Sequence, residues 1–116
     1  MTQNKRATGS HYEQQVAAFL KQQGYKLLEQ NFRCKSGEID LIARDGRHLV
    51  FIEVKYRKTS ASGWALEAID QRKAARIRRT AQIYLWKNGY PETMPCRFDA
   101  IGIDGERMVH IKNAFE

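Results

Sequence analysis

The chain is short of cysteine, proline and acid, and each shortage closes off a class of protein. Its 116 residues include two cysteines and two prolines. Cys34 and Cys96 belong to no CxxC pair, so neither a zinc ribbon nor a disulfide framework is indicated, and both read as reduced thiols filling space. Asp and Glu number 13 against 20 Lys and Arg, a formal net charge of +7. A chain so basic favours acidic partners, nucleic acid first and an anionic membrane second. No stretch approaches the roughly 18 consecutive apolar residues of a membrane helix, and residues 1–9 lack the apolar segment of a signal peptide. The expectation is a soluble, cytoplasmic protein with no membrane partner. The length suits one core but not two ordinary domains, so we expect a flexible basic arm over 1–9 and a single domain over 10–116.

What is present is a clear sequence of elements. From Ser10, a potential cap, Tyr12, Val16, Phe19 and Leu20 recur at helical spacing up to Gly24. Tyr25 to Phe32 reads as a short strand, Cys34 to Gly37 as a turn, and Glu38 to Ala43 as a second strand. Arg44-Asp45-Gly46-Arg47 supplies a hairpin turn into His48 to Lys55, the most β-branched and aromatic run and hence the central strand. Tyr56 to Gly63 is a basic loop carrying Arg57 and Lys58. Asp70 can cap a second helix with an apolar stripe of Ala74, Ile77, Ala81, Tyr84 and Leu85, ending near Asn88-Gly89. Cys96 to Ile103 and Arg107 to Ile111 form a last pair of strands. The order αβββαββ, without internal repeats, predicts an α/β fold with a mixed β-sheet flanked by helices.

Two acids stand where acids are rare. Asp40 lies between Ile39 and Leu41, and Glu53 between Ile52 and Val54, on strands the hairpin makes neighbours. Carboxylates about 4 Å apart repel by about 4 kcal/mol at an effective dielectric near 20, so something positive must offset them. Lys55 is two residues beyond Glu53 and shares its face of the strand. A Mg²⁺ or Mn²⁺ ion held by Asp40, Glu53 and the backbone carbonyl of Val54 would complete the balance. That set suits phosphodiester hydrolysis: a hard cation polarises the phosphoryl oxygen and lowers the pKa of water, and a lysine assists the attack. The competing reading is an edge-strand Glu53–Lys55 ion pair with Asp40 solvated near a turn.

The motifs Gly37-Glu38-Ile39-Asp40-Leu41-Ile42-Ala43 and Val50-Phe51-Ile52-Glu53-Val54-Lys55 stand in order with Glu13, with Lys73 and Arg76-Ile77, and with Arg97-Phe98-Asp99. Together they resemble the YraN family of uncharacterised bacterial proteins. The resemblance implies a restriction-endonuclease-like, PD-(D/E)xK fold similar to archaeal Holliday-junction resolvases, with the signature falling on Asp40, Glu53 and Lys55. It also implies a catalytic part for Glu13, matching the acid such resolvases carry on their first helix, and a homodimer. His11-Tyr12 stands before Glu13 where the family has a small residue.

Around this centre Glu38, two residues before Asp40, is a candidate to support the ligands, and Lys73 to approach a substrate phosphate. Arg72, Arg76 and Arg79 recur at helical spacing, with Arg78 alongside, and with Arg57 and Lys58 they form a basic cluster suited to tracking along phosphates. A solvated helix face is the alternative for the arginines. Trp64 can stack on a base, join a subunit contact or pack in the core; Trp86 and Tyr90 are further interface candidates. His11, His48 and His110 have no ligand spacing. The expected function is a Mg²⁺- or Mn²⁺-dependent endonuclease on DNA, with branched DNA as a candidate substrate; the alternative is a catalytically silent nucleic-acid-binding protein of the same fold.

Overall fold

The computed structural model describes the backbone of residues 3–57, 70–104 and 107–115, and the side chains of these apart from residues 3–10 and Arg57. Seven elements follow one another: α1 (Gln3–Gln22), β1 (Lys26–Cys34), β2 (Gly37–Asp45), β3 (His48–Arg57), α2 (Gln71–Lys87), β4 (Cys96–Asp104) and β5 (Arg107–Ile111). The five strands lie side by side in chain order in one sheet. Neighbours are antiparallel except β3 and β4, which run parallel because α2 carries the chain back between them. This is the expected α/β architecture: a mixed sheet flanked by two helices, in the order helix, three strands, helix, two strands.

Strand alternation feeds two apolar layers. Leu41, Ala43, Val50, Ile52, Ile101 and Ile103 pack with Val16 and Leu20 of α1. Ile42, Leu49 and Phe51 pack with Ile77, Ala81 and Tyr84 of α2. The central strand is buried on both faces, as its composition requires: Leu49, Val50, Phe51 and Ile52 are fully enclosed. Such a side chain contributes about 1.5–3 kcal/mol by leaving water, so the middle of β3 is firmly anchored.

Helix α2 begins and ends as its sequence indicates. Asp70 is the N-cap, its carboxylate accepting from the Lys73 N–H at 2.8 Å, and Asn88 is the C-cap. Its stripe is confirmed at Ala74, Ile77, Ala81 and Tyr84; Thr80 joins it by donating to the Arg76 carbonyl at 2.8 Å, and Leu85 is only half-buried. Helix α1 differs. It starts at Gln3 rather than Ser10, so residues 3–9, expected as an arm, are helical and Ser10 lies inside the helix instead of capping it. Gln3, Lys5, Arg6 and Ala7 are strong helix formers, and they carry the helix through Gly9. Farther along, the strand that ends at Lys55 by composition continues through Tyr56 and Arg57, because β4 pairs with it as far as Arg57↔Asp104. Tyr12, the unusual residue before Glu13, stacks on Tyr56 with ring centroids 3.8 Å apart, while His11 is exposed.

One glycine sets a close approach. Gly37, at φ +150°, opens β2 against the second helix, and a Cβ there would lie 3.2 Å from the Thr80 Oγ1. The β1–β2 turn therefore rests directly on the middle of α2.

Candidate functional site

Asp40 and Glu53 come from adjacent antiparallel strands. The ladder pairs Leu41 with Ile52, and one step further along the same register sets Asp40 opposite Glu53. There the backbone pairing stops and a side chain takes over: the Val54 N–H donates to Asp40 Oδ2 at 2.8 Å. Glu53 is 8% exposed and Asp40 half-buried. Burial is the largest influence on Asp40 and raises its carboxyl; the hydrogen bond with Glu53 and that neighbour's charge raise it further, against the Val54 N–H, up to about 8. Two neighbouring acids, with the Asp40 carboxyl held far above the usual carboxylate range, make up the centre of the site.

Cationic groups face them. Lys73, in the first turn of α2, places Nζ 3.7 Å from Glu53 Oε1. Its ammonium is lowered from the usual lysine range by burial first and then by its contact with Lys55, while the charges of Glu53 and Asp40 oppose the fall. Lys55 and Lys73 thus meet beside the acids. Lys73, the sequence candidate for approaching a substrate phosphate, is half-buried beside the acids rather than on an open helix surface. Gly37, Glu38, Asp40, Glu53, Lys73 and Arg76 line one recess between the sheet and α2.

Glu13 reaches the edge of this group from α1. Burial raises its carboxyl, a hydrogen bond from Asn31 opposes the rise, and the charges of Asp40 and Glu38 add to it. Asn31 was not singled out by sequence. It adopts φ 56° in β1, where the ladder passes from Gln30↔Leu41 to Phe32↔Ile39. An Asn in mid-strand is depleted by propensity and tolerates the left-handed region, and that was the available signal. Glu38, expected to support the acids, is exposed and pairs with Arg33 at 2.6 Å.

The remaining candidates divide. Arg72, Arg76 and Arg79 are exposed on α2, whereas Arg78 is half-buried with its guanidinium 6.0 Å from the Phe115 ring centre. Arg57 ends β3, and its side chain is outside the described set. Lys58 and Trp64 lie outside the described residues. Trp86 is 80% exposed, while Tyr90 stacks on Tyr84. Both cysteines are free thiols. No helix among the described residues is long and apolar enough to cross a membrane.

As donors for a cation, Asp40 and Glu53 offer hard carboxylate oxygens, and a divalent ion would replace the proton that the raised Asp40 carboxyl favours, chemistry that fits Mg²⁺ or Mn²⁺. Among the described residues no group of three or more His, Cys, Asp or Glu side chains is placed to hold a metal, so backbone or water oxygens must complete the shell. The Val54 group seen in contact with Asp40 is its N–H rather than the carbonyl expected as a ligand.

Fold and site together define the class: a mixed α/β protein with a buried pair of acids on adjacent strands, faced by two lysines. The chain belongs to the family described as Uncharacterised protein family UPF0102, the YraN family of the sequence resemblance, which matches residues 12–103. It is 46% identical over 113 residues to a UPF0102 protein of Lachnoclostridium phytofermentans, covering 97% of this chain and 96% of that one. A UPF0102 protein of Nitrosomonas eutropha is 47% identical over 116 residues, covering 99% and 96% of the two chains. One from Hahella chejuensis is 54% identical over 93 residues, covering 80% and 74%.

Proposed function

We propose that this chain is a Mg²⁺- or Mn²⁺-dependent endonuclease acting on DNA, built on the PD-(D/E)xK plan of the restriction-endonuclease-like proteins and similar to archaeal junction resolvases. The observation that carries the reading is the pairing of Asp40 with Glu53 opposite Lys55 and Lys73. The raised Asp40 carboxyl records the cost of setting two acids side by side, a cost that a bound cation would remove. When bound, the ion supplies polarisation of a phosphoryl oxygen and a lowered pKa for water. Asp40, Glu53 and the Val54 carbonyl hold it. Lys55 orients and stabilises the attacking oxygen, Lys73 and Arg76 meet the phosphate from α2, and Glu13 holds a water at the edge of the site. Arg57, Lys58, Arg72 and Arg79 extend the contact along the backbone of the nucleic acid. The protein acts in the cytoplasm, as a homodimer if it cuts two symmetric strands of a branched substrate.

A second reading, a nucleic-acid-binding protein without turnover, is favoured by one observation: Lys73 already supplies a positive charge 3.7 Å from Glu53. Cleavage of labelled plasmid, single-stranded, flap and four-way-junction DNA with Mg²⁺ or Mn²⁺ separates the two. We expect cutting by the wild type and a loss of at least about a thousandfold in Asp40→Asn, with DNA affinity changed less than about threefold, since phosphate contacts carry the binding. If neither protein cuts while both bind, the second reading replaces the first.

A further inference from the structure

One line of side chains on α2 runs on past the acid site to an exposed tryptophan that the reading above does not use. Arg72, Arg76, Arg79, Ile83 and Trp86 follow each other at alternating spacings of four and three, so they form a single stripe along the helix. All are exposed except the half-buried Ile83, and Trp86 is 80% exposed, the most open large apolar side chain among the described residues. The stripe joins two recesses. Arg76 lines the one that holds Asp40 and Glu53. Arg79, Ile83 and Trp86 line the next, together with Ser36 of the β1–β2 turn. Gly37, beside Ser36, is the point where that turn touches the helix at Thr80, so the two recesses flank one contact and share one helix face.

We infer that this stripe is a track for single-stranded DNA leading into the acid site, with Trp86 stacking on an unpaired base outside it. The inference rests on the nucleic-acid part of the reading above and names the form of the substrate. Charge complementarity selects a polyanion: three arginines precede the tryptophan on this face, and a second copy of a chain with net charge +7 would set like charges against them. The open ring selects an unpaired strand. Bases inside a duplex already have both faces covered, whereas a single strand offers bare faces to an aromatic platform. Ten residues of helix separate Arg76 from Trp86, or about 15 Å at 1.5 Å each. A stacked strand at about 3.4 Å per nucleotide spans that with about four nucleotides, so the stacked base lies about four nucleotides from the phosphate at the acids.

The test measures binding without cutting, by fluorescence anisotropy in EDTA, of a labelled 15-nucleotide oligo(dT) and a blunt 20-base-pair duplex over a range of salt. We expect Trp86→Ala to weaken oligo(dT) binding about tenfold and duplex binding less than twofold, with the salt slope unchanged because no phosphate contact is lost. Trp86→Phe keeps an aromatic face and should recover the affinity to within about threefold. Arg79→Ala should do the reverse, reducing the salt slope for the single strand by about 0.7. Equal losses on both DNAs, or none on the single strand, would overturn the track. So would a change of mass in sedimentation between wild type and Trp86→Ala without DNA, which would make the ring a contact between copies. A wild type that cuts DNA but lacks the Trp86 signature sinks the track alone. A wild type that cuts nothing but shows the signature sinks the nuclease and leaves the track.

Discussion

Two of the places where this sheet buries carboxylates treat them in opposite ways. Within β4, Asp99 is fully enclosed. Arg97 donates to it through Nε at 2.9 Å and Nη2 at 3.0 Å, the Asn113 N–H donates at 3.1 Å, and His110 Nε2 lies 2.7 Å away. Arg97 also reaches Asp45 at 3.0 Å and the Tyr25 hydroxyl at 2.6 Å. Burial alone would raise the Asp99 carboxyl, but His110, Arg97 and the Asn113 N–H outweigh it and hold it below the ordinary range. At the acid pair the balance fails, and Asp40 is pushed up instead. A buried acid with every oxygen satisfied ties elements together: here β4, β5, the β2–β3 turn region and the chain after β5. A buried acid left short of positive charge is a place kept for something else.

The largest effect should come from breaking the satisfied site. Asp99→Asn leaves Arg97 with Asp45 as its remaining acid, and we expect a loss of about 3–5 kcal/mol in urea denaturation at pH 8. A loss under about 1 kcal/mol would show that the network is not structural. The unsatisfied site should respond with the opposite sign. A carboxyl raised above its unfolded value of 3.8 contributes stability at pH below that value and loses it as the pH climbs toward about 8. In EDTA at pH 8, Asp40→Asn should therefore be more stable than the wild type by about 2–4 kcal/mol, a gain that fades toward pH 4. Asp99, held low, contributes above its unfolded value and loses that contribution on acidification, so the two variants should differ most at pH 8 and converge in acid. Destabilisation by Asp40→Asn at pH 8 would mean that its carboxyl is satisfied after all. The smallest effect is expected at the exposed Arg33–Glu38 pair. Despite its 2.6 Å separation, with side chains 61% and 39% exposed, Glu38→Gln should change stability by less than about 0.5 kcal/mol in the same assay.

The acid pair was legible because it violates a local rule: an acid amid β-branched residues shows in the sequence whatever the fold. The helix caps at Asp70 and Asn88 were legible for a similar reason, since the capping chemistry is contained in a few neighbouring residues. Lys73 was harder. Its partner Glu53 is twenty positions earlier, and the contact exists because the crossover returns α2 to the end of β3, which no local pattern records. Arg97 and Asp99 present the same anomaly as Glu53 and Lys55, opposite charges two apart in an apolar strand, so their shared face could be read. That His110, which has no ligand spacing, would meet them depends on the pairing of β5 against β4. The start of α1 was misplaced because a good cap at Ser10 was weighed above the helix propensity of the residues before it.

The contact between Gly37 and Thr80 sets the gauge of the acid site. Lys73, Arg76 and Thr80 belong to one rigid helix, and Gly37 begins the strand that carries Asp40, so the depth at which the β1–β2 turn seats on α2 is also the separation between cations and acids. A methyl group at position 37 would meet Thr80 Oγ1 at 3.2 Å on a backbone at φ +150°, so the turn and Thr80 would have to give by a few tenths of an ångström beside the helix that carries Lys73 and Arg76. The close seating of the turn on the helix thus depends on an atom the chain leaves out, at a residue that bears no charge.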